Sequence, residues 1–133
     1  MNHKPAVKRS DLLYPELSYQ VVGVLFSVFN QLGYGYKEEY YQRAIRQELL
    51  RLKMPFREQI TFPIKFNEQV IGKQIFDFLI DGKIVLEIKR GDRFSRQDIV
   101  QTTGYLHSAG LKLGILARFS SRGLVFKRIV NMG

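Results

Sequence analysis

Apolar residues recur at helical spacing from Pro15 onward. Leu17, Val21, Val24, Leu25, Val28 and Leu32 fall on one stripe, the mark of a helix buried along one face. Gly33 and Gly35 end it, since glycine readily takes the backbone conformations that close a helix. A second stripe of Tyr41, Ile45, Leu49 and Leu52 predicts a helix over about 37–52, with Glu38 one turn before Tyr41 on the same face. Pro55 closes this helical part. Residues 56–89 read as strands: 56–62 and 64–68 form one hairpin bent at Pro63, and 74–79 and 84–89 form the next. A third helix is expected from Ser95, a natural N-cap, to about Ser108. Its inward side chains would be Ile99, Thr102, Thr103, Leu106 and Ala109, and Gly110 would stop it. Residues 112–118 and 124–130 read as two last strands. The predicted order is α-α-β-β-β-β-α-β-β, an α/β fold with a mixed β-sheet flanked by helices. It would occupy residues 15–133 as a single domain, after a basic, Pro-containing arm at 1–14.

Composition narrows the function classes. A chain of 133 residues with seven tyrosines and ten phenylalanines has the means for a real core. The formal net charge of +9 favours an anionic partner, nucleic acid foremost. The absence of cysteine excludes disulfides and thiolate zinc sites. His3 and His107 are the only histidines and stand far apart, which argues against a histidine metal site or a Ser-His triad. No apolar run approaches membrane-spanning length and the first residues lack a signal-peptide core. The expectation is a cytoplasmic protein with no membrane partner.

The densest candidate chemistry lies in Phe-Asp77-Phe-Leu-Ile-Asp-Gly-Lys-Ile-Val-Leu-Glu87-Ile-Lys89. Alternation along a strand puts Glu87 and Lys89 on one face. Charges among Val, Leu and Ile are costly unless paired or bound to a metal. Two carboxylates and a lysine on one sheet face are what metal-assisted phosphodiester chemistry requires: acids to hold a cation, a lysine to orient water or meet developing charge. Asp77 joins that face only if the connecting loop has the right length. A two-residue loop of Asp81 and Gly82 would turn Asp77 away from Glu87. A three-residue loop of Ile80, Asp81 and Gly82, with Gly82 left-handed and Leu79 opposite Lys83, turns it toward Glu87, and this longer loop is expected. Other uses of these charges are open: Asp77 as a strand acid paired with Lys73, Lys83 or Lys89, and Glu87–Lys89 as a structural ion pair. Gln101 and Tyr105, four apart, share a helix face with Asp98. Arg90, Arg93 and Arg96 follow Lys89 closely and are candidates for gripping phosphates.

Gly35-Tyr-Lys-Glu38-Glu-Tyr-Tyr41 has the form G-x-x-E-x-x-Y. With Asp77, Glu87-Ile88-Lys89 and Gln101-x-x-x-Tyr105 following in order, the chain resembles the GxxExxY family of the PD-(D/E)XK nuclease superfamily over about 17–130. The resemblance implies a restriction-endonuclease-like core with its acids on two adjacent strands. It implies a metal-dependent nuclease acting on nucleic acid, DNA before RNA, with Mg2+ as cofactor and Mn2+ as the alternative. Asp77, Glu87 and Glu38 would correspond to metal ligands, Lys89 to the residue that positions the nucleophile, and Gln101 and Tyr105 to an accessory pair. The Ile88 carbonyl is a further candidate ligand. Phe76 stands where the superfamily pattern has proline. Alternatives are a catalytically inactive nucleic-acid-binding or protein-interaction module of the same fold. A homodimer is compatible with the apolar first helix, which would serve equally as core.

Overall fold

The computed structural model describes residues 13–89, 91 and 93–132. All but the last two residues of the expected basic arm, and Arg90, lie outside them. The chain forms α1 (Pro15–Leu32), α2 (Glu38–Arg51), β1 (Phe56–Phe66), β2 (Gln69–Ile80), β3 (Ile84–Lys89), α3 (Arg96–Ala109), β4 (Leu113–Ser120) and β5 (Gly123–Val130). The strands make a five-stranded sheet in the order β1-β2-β3-β4-β5. β3 and β4 are parallel and the other neighbours antiparallel, because the crossover through α3 returns the chain in the same direction. The mixed α/β architecture is that of a restriction-endonuclease-like domain.

Each face of the sheet has its own core. Val21, Val24, Leu25 and Val28 of α1 and Tyr41, Ile45 and Leu49 of α2 cover Phe78, Ile80, Leu86, Ile88, Ile115 and Ala117. Tyr105 and Leu106 of α3 cover Phe76, Val85, Leu116 and Ile129 on the other face. Full burial of one such side chain contributes about 1.5–3 kcal/mol, so the apolar stripe of α1 anchors the layer that carries Glu38. On the α3 side, a Cβ at Gly114 would lie 3.0 Å from Thr102 Cγ2. The bare backbone there lets the helix approach β4.

Several expected details differ. Residues 56–66 form one continuous strand, not two bent at Pro63, so among the described residues three strands precede α3. Pro63 pairs opposite Lys73 within β1, an edge strand, where the missing N–H can face the open side. The reversal comes instead at Asn67 and Glu68, between Phe66 and Gln69, and both residues have positive φ (48° and 63°). That is the demand of a two-residue hairpin turn. Leu52 ends α2 as its C-cap and is exposed. On α3, Thr103 and Ala109 face solvent while Tyr105 is buried, so the inward stripe is rotated from the one expected. The third helix otherwise matches its local signals. Ser95 accepts from the Asp98 N–H, the Asp98 carboxylate accepts from the Ser95 N–H, and Gly110 closes the helix in the left-handed conformation.

Candidate active site

The β2–β3 loop has three residues, Asp81, Gly82 and Lys83, closed by the Ile80–Ile84 pair. Asp81 and Gly82 both have positive φ (53° and 64°). The loop is one residue later than expected, and Leu79 lies opposite Val85 rather than Lys83. The odd loop length is preserved, but the pairing it sets ends at Phe78–Leu86, one residue short of Asp77 and Glu87. On the other side, the β1–β2 ladder pairs Glu58 with Phe78 and Ile60 with Phe76 but not Gln59 with Asp77. Gln59 has φ +51°, and Phe76 and Phe78 join opposite cores. β2 therefore turns over at Asp77, which frees its carboxylate from either ladder.

That carboxylate is bound on both oxygens. Oδ2 accepts the Ile88 N–H at 2.7 Å and Oδ1 accepts the Gln42 side-chain amide at 2.8 Å. Gln42 is a site residue that motif reading missed. Its signal was its place four residues after Glu38, on the same face of α2. Glu87 lies alongside, and both acids are 7% exposed. Burial pushes the Glu87 carboxyl up to about 9, helped by its hydrogen bond to the Asp77 carboxylate and by that group's charge, with Lys89 pulling the other way. Two carboxylates cannot both ionise in so dry a place without a cation. A divalent ion in place of the Glu87 proton would suit both carboxylates, so the donor chemistry fits an oxygen-seeking metal that keeps several waters. Among the described residues no group of three or more potential ligands stands together. Glu38 is therefore not gathered into one cluster with Asp77 and Glu87.

Glu38, Ile88 and Lys89 instead share the wall of an open cavity of about 540 Å³ at the C-terminal end of β3. Neither acid lines it, but Ile88, which does, donates its N–H to Asp77 and follows Glu87 in β3. The G-x-x-E-x-x-Y motif has a structural account here. Gly35 has φ +105°, a conformation open to glycine. The Tyr41 hydroxyl donates to the Gly33 carbonyl at 2.7 Å and accepts the Tyr36 N–H at 3.3 Å. Its ring stacks on Phe119 at 4.2 Å. Tyr41 thus braces the loop that delivers Glu38 to the cavity.

Lys89 Nζ stands 3.6 Å from Asp98, which also accepts Arg118 Nη2 at 2.9 Å and the Ser95 N–H at 3.0 Å. Burial pushes the Asp98 carboxyl up, but the Ser95 hydrogen bonds and the Lys89 and Arg118 charges outweigh it and hold it below its ordinary value. Arg118 is 3% exposed, with its guanidinium 4.8 Å from the Phe94 ring centroid. Gln101 and Tyr105 sit apart, on a second cavity of about 510 Å³ against Phe62 and Gln74 of the β1–β2 hairpin. Tyr105 stacks on Phe76 at 4.2 Å, so it meets the acids through the residue next to Asp77. Burial pushes its phenol up, with Arg57 opposing. Arg93 and Arg96 are exposed just beyond Lys89.

The chain belongs to the PD-(D/E)XK nuclease superfamily, whose family model matches residues 15–129. Among solved structures it is similar to that of SSO0001, at 17% identity and a TM-score of 0.46, covering 87% of this chain and 78% of that one. A likeness that loose carries no argument about function. No curated protein matches the chain significantly. Among the described residues, no helix is long and apolar enough to cross a membrane.

Proposed function

We propose that this protein is a metal-dependent nuclease that hydrolyses phosphodiester bonds, of DNA in the first instance, and that it belongs to the GxxExxY branch of its superfamily. The observation that carries the reading is the buried Asp77–Glu87 pair, joined through the Ile88 N–H to a cavity walled by Glu38 and Lys89. Asp77 and Glu87 would hold Mg2+, or Mn2+, with the Ile88 carbonyl as a further donor. The ion, when bound, supplies Lewis-acid activation of a water and neutralises charge developing on the phosphoryl oxygens. Gln42 and the Ile88 N–H fix the Asp77 carboxylate. Glu38, across the cavity, orients a water by accepting its hydrogen bond. Lys89, held by Asp98, presents an ammonium to the attacked phosphate. The water oxygen bonds to phosphorus and gives up a proton to solvent as the ester P–O bond breaks, and the leaving oxygen takes up a proton from solvent. Gln101 and Tyr105 shape the neighbouring face, and Arg93 and Arg96, with Arg90, grip phosphates along the strand.

Cleavage of labelled single-stranded and duplex DNA and RNA, with Mg2+ or Mn2+ against EDTA, tests this. Wild type should cut with metal alone, and Asp77→Ala and Lys89→Ala should both lose cutting. Equal cutting by the variants would refute the assignment. A second reading, an inactive nucleic-acid-binding module, is favoured by one observation: Glu38 does not cluster with the two buried acids among the described residues. Salt-sensitive binding without cleavage would select it.

A further inference from the structure

The wall of the Glu38–Lys89 cavity carries aromatic rings that the chemistry above does not use. Tyr34 and Tyr36 line it and are 61% and 52% exposed. Tyr40, also exposed, meets the Tyr36 ring edge-on at 6.3 Å, and the Arg43 guanidinium lies 5.6 Å from the Tyr40 ring centroid. Tyr36 in turn meets Tyr41 edge-on at 6.1 Å, so its ring rests on the braced Tyr41–Phe119 stack. Large rings left in water at one place mark a binding surface more often than scattered ones do. The loop bearing them is held by the two Tyr41 hydrogen bonds, so the platform is pre-organised rather than loose.

From this placement we infer that the cavity takes an unpaired nucleotide, stacked on Tyr34 and Tyr36, so that the substrate is a nucleic-acid strand single-stranded at or beside the cut. The inference rests on the nuclease reading for the position of the cut. Stacking on a tyrosine face requires a base free of its own helix, because a base within a duplex has both faces covered by its neighbours. Single-strand binders pair such aromatic platforms with cations that follow the backbone. Lys37 and Lys89 line the same cavity, and the chain carries a net charge of +9. A volume of about 540 Å³ falls within the roughly 300–1,000 Å³ of cavities that accept small organic ligands, the size class of a nucleotide. The same charges that suit a polyanion disfavour a basic protein segment as occupant.

The test is binding in EDTA, where no cleavage occurs. Fluorescence anisotropy would compare a labelled single-stranded oligonucleotide with its matched duplex, on the full chain. Wild type should prefer the single strand. Tyr34→Ala/Tyr36→Ala should weaken single-strand binding by about tenfold or more, leave duplex binding unchanged, and keep the salt dependence, since no charge is removed. Tyr34→Phe/Tyr36→Phe should bind as wild type does, because the ring faces remain. Absent single-strand binding, equal affinity for duplex, or an alanine variant that binds as wild type would each overturn the inference. The two readings fail separately. Tyrosine-dependent single-strand binding by a protein that cuts nothing removes the nuclease reading alone. Duplex cutting indifferent to these tyrosines removes the inference alone.

Discussion

Glu87→Gln should make the metal-free protein more stable at neutral and alkaline pH. In the folded chain burial and Asp77 hold the Glu87 carboxyl protonated up to about pH 9, against an ordinary value of 4.5. An acid whose folded pKa is raised favours folding fully below its unfolded value, and that advantage is lost as pH climbs toward the folded value. At pH 8 the folded state keeps a proton that the unfolded chain releases. That pH is three and a half units above 4.5, and at about 1.4 kcal/mol per unit the cost approaches roughly 5 kcal/mol. Such a cost is a large share of the 5–15 kcal/mol that holds a typical domain together. Glutamine has nearly the same shape, donates to Asp77 as the neutral acid does, and does not titrate. Urea unfolding in EDTA, repeated from pH 5 to pH 9, should show wild-type stability falling by a few kcal/mol while the variant changes far less. The two curves should converge near pH 5. Added Mg2+ should restore wild type at pH 8 and leave the variant unmoved, because the amide is a poor replacement for an anionic ligand. Parallel pH curves, or a variant less stable than wild type at pH 8, would show that Glu87 does not hold its proton far above the ordinary carboxylate range.

Three further outcomes are expected. Gln42→Ala removes a donor to Asp77 Oδ1 and should raise the Mg2+ concentration needed for half-maximal cleavage by about 10–100-fold, as loss of a supporting partner commonly does, with overall fold unchanged by circular dichroism. Tyr41→Phe deletes the hydroxyl that bonds Gly33 and Tyr36 and should cost about 1–3 kcal/mol in urea unfolding; a loss below about 0.3 kcal/mol would remove its role as the loop's brace. Gly114→Ala pushes a methyl against Thr102 and should destabilise by about 1–3 kcal/mol, and pairing it with Thr102→Ser should recover part of that loss if the contact is the cause.

How much of this molecule can be read along the chain depends on the distance over which each feature is decided. The three helices have bounds close to those expected because their signals are local: a stripe every three to four residues, Ser95 and Asp98 within one turn, and Gly33 and Gly110 at the ends. The acids of β2 and β3 were equally legible, since carboxylates in apolar strands violate the pattern around them. The arrangement of the first hairpin was not. Pro63 breaks a strand by local rules, and its tolerance depends on β1 being an edge, which no nearby residue reveals. The turn at Asn67 and Glu68 lacks glycine, so Asn67 was its one local signal.

The site divides along the same line. Asp77, Glu87, Lys89 and Glu38 could be singled out along the chain as candidates, and an odd β2–β3 loop could be expected from strand alternation. The partners were set by tertiary structure alone. Gln42 reaches Asp77 across thirty-five residues and Arg118 reaches Asp98 across twenty. Tyr105 turned inward onto Phe76 because the rings of the hairpin were there to receive it. Periodicity states which side chains leave water and which strand face they share. It does not state which element arrives to meet them, because that depends on how helix and strand layers pack once the sheet has twisted. The chain alone therefore named the charges that burial would make costly. Packing decided which amide, ammonium and guanidinium would come to lie beside them.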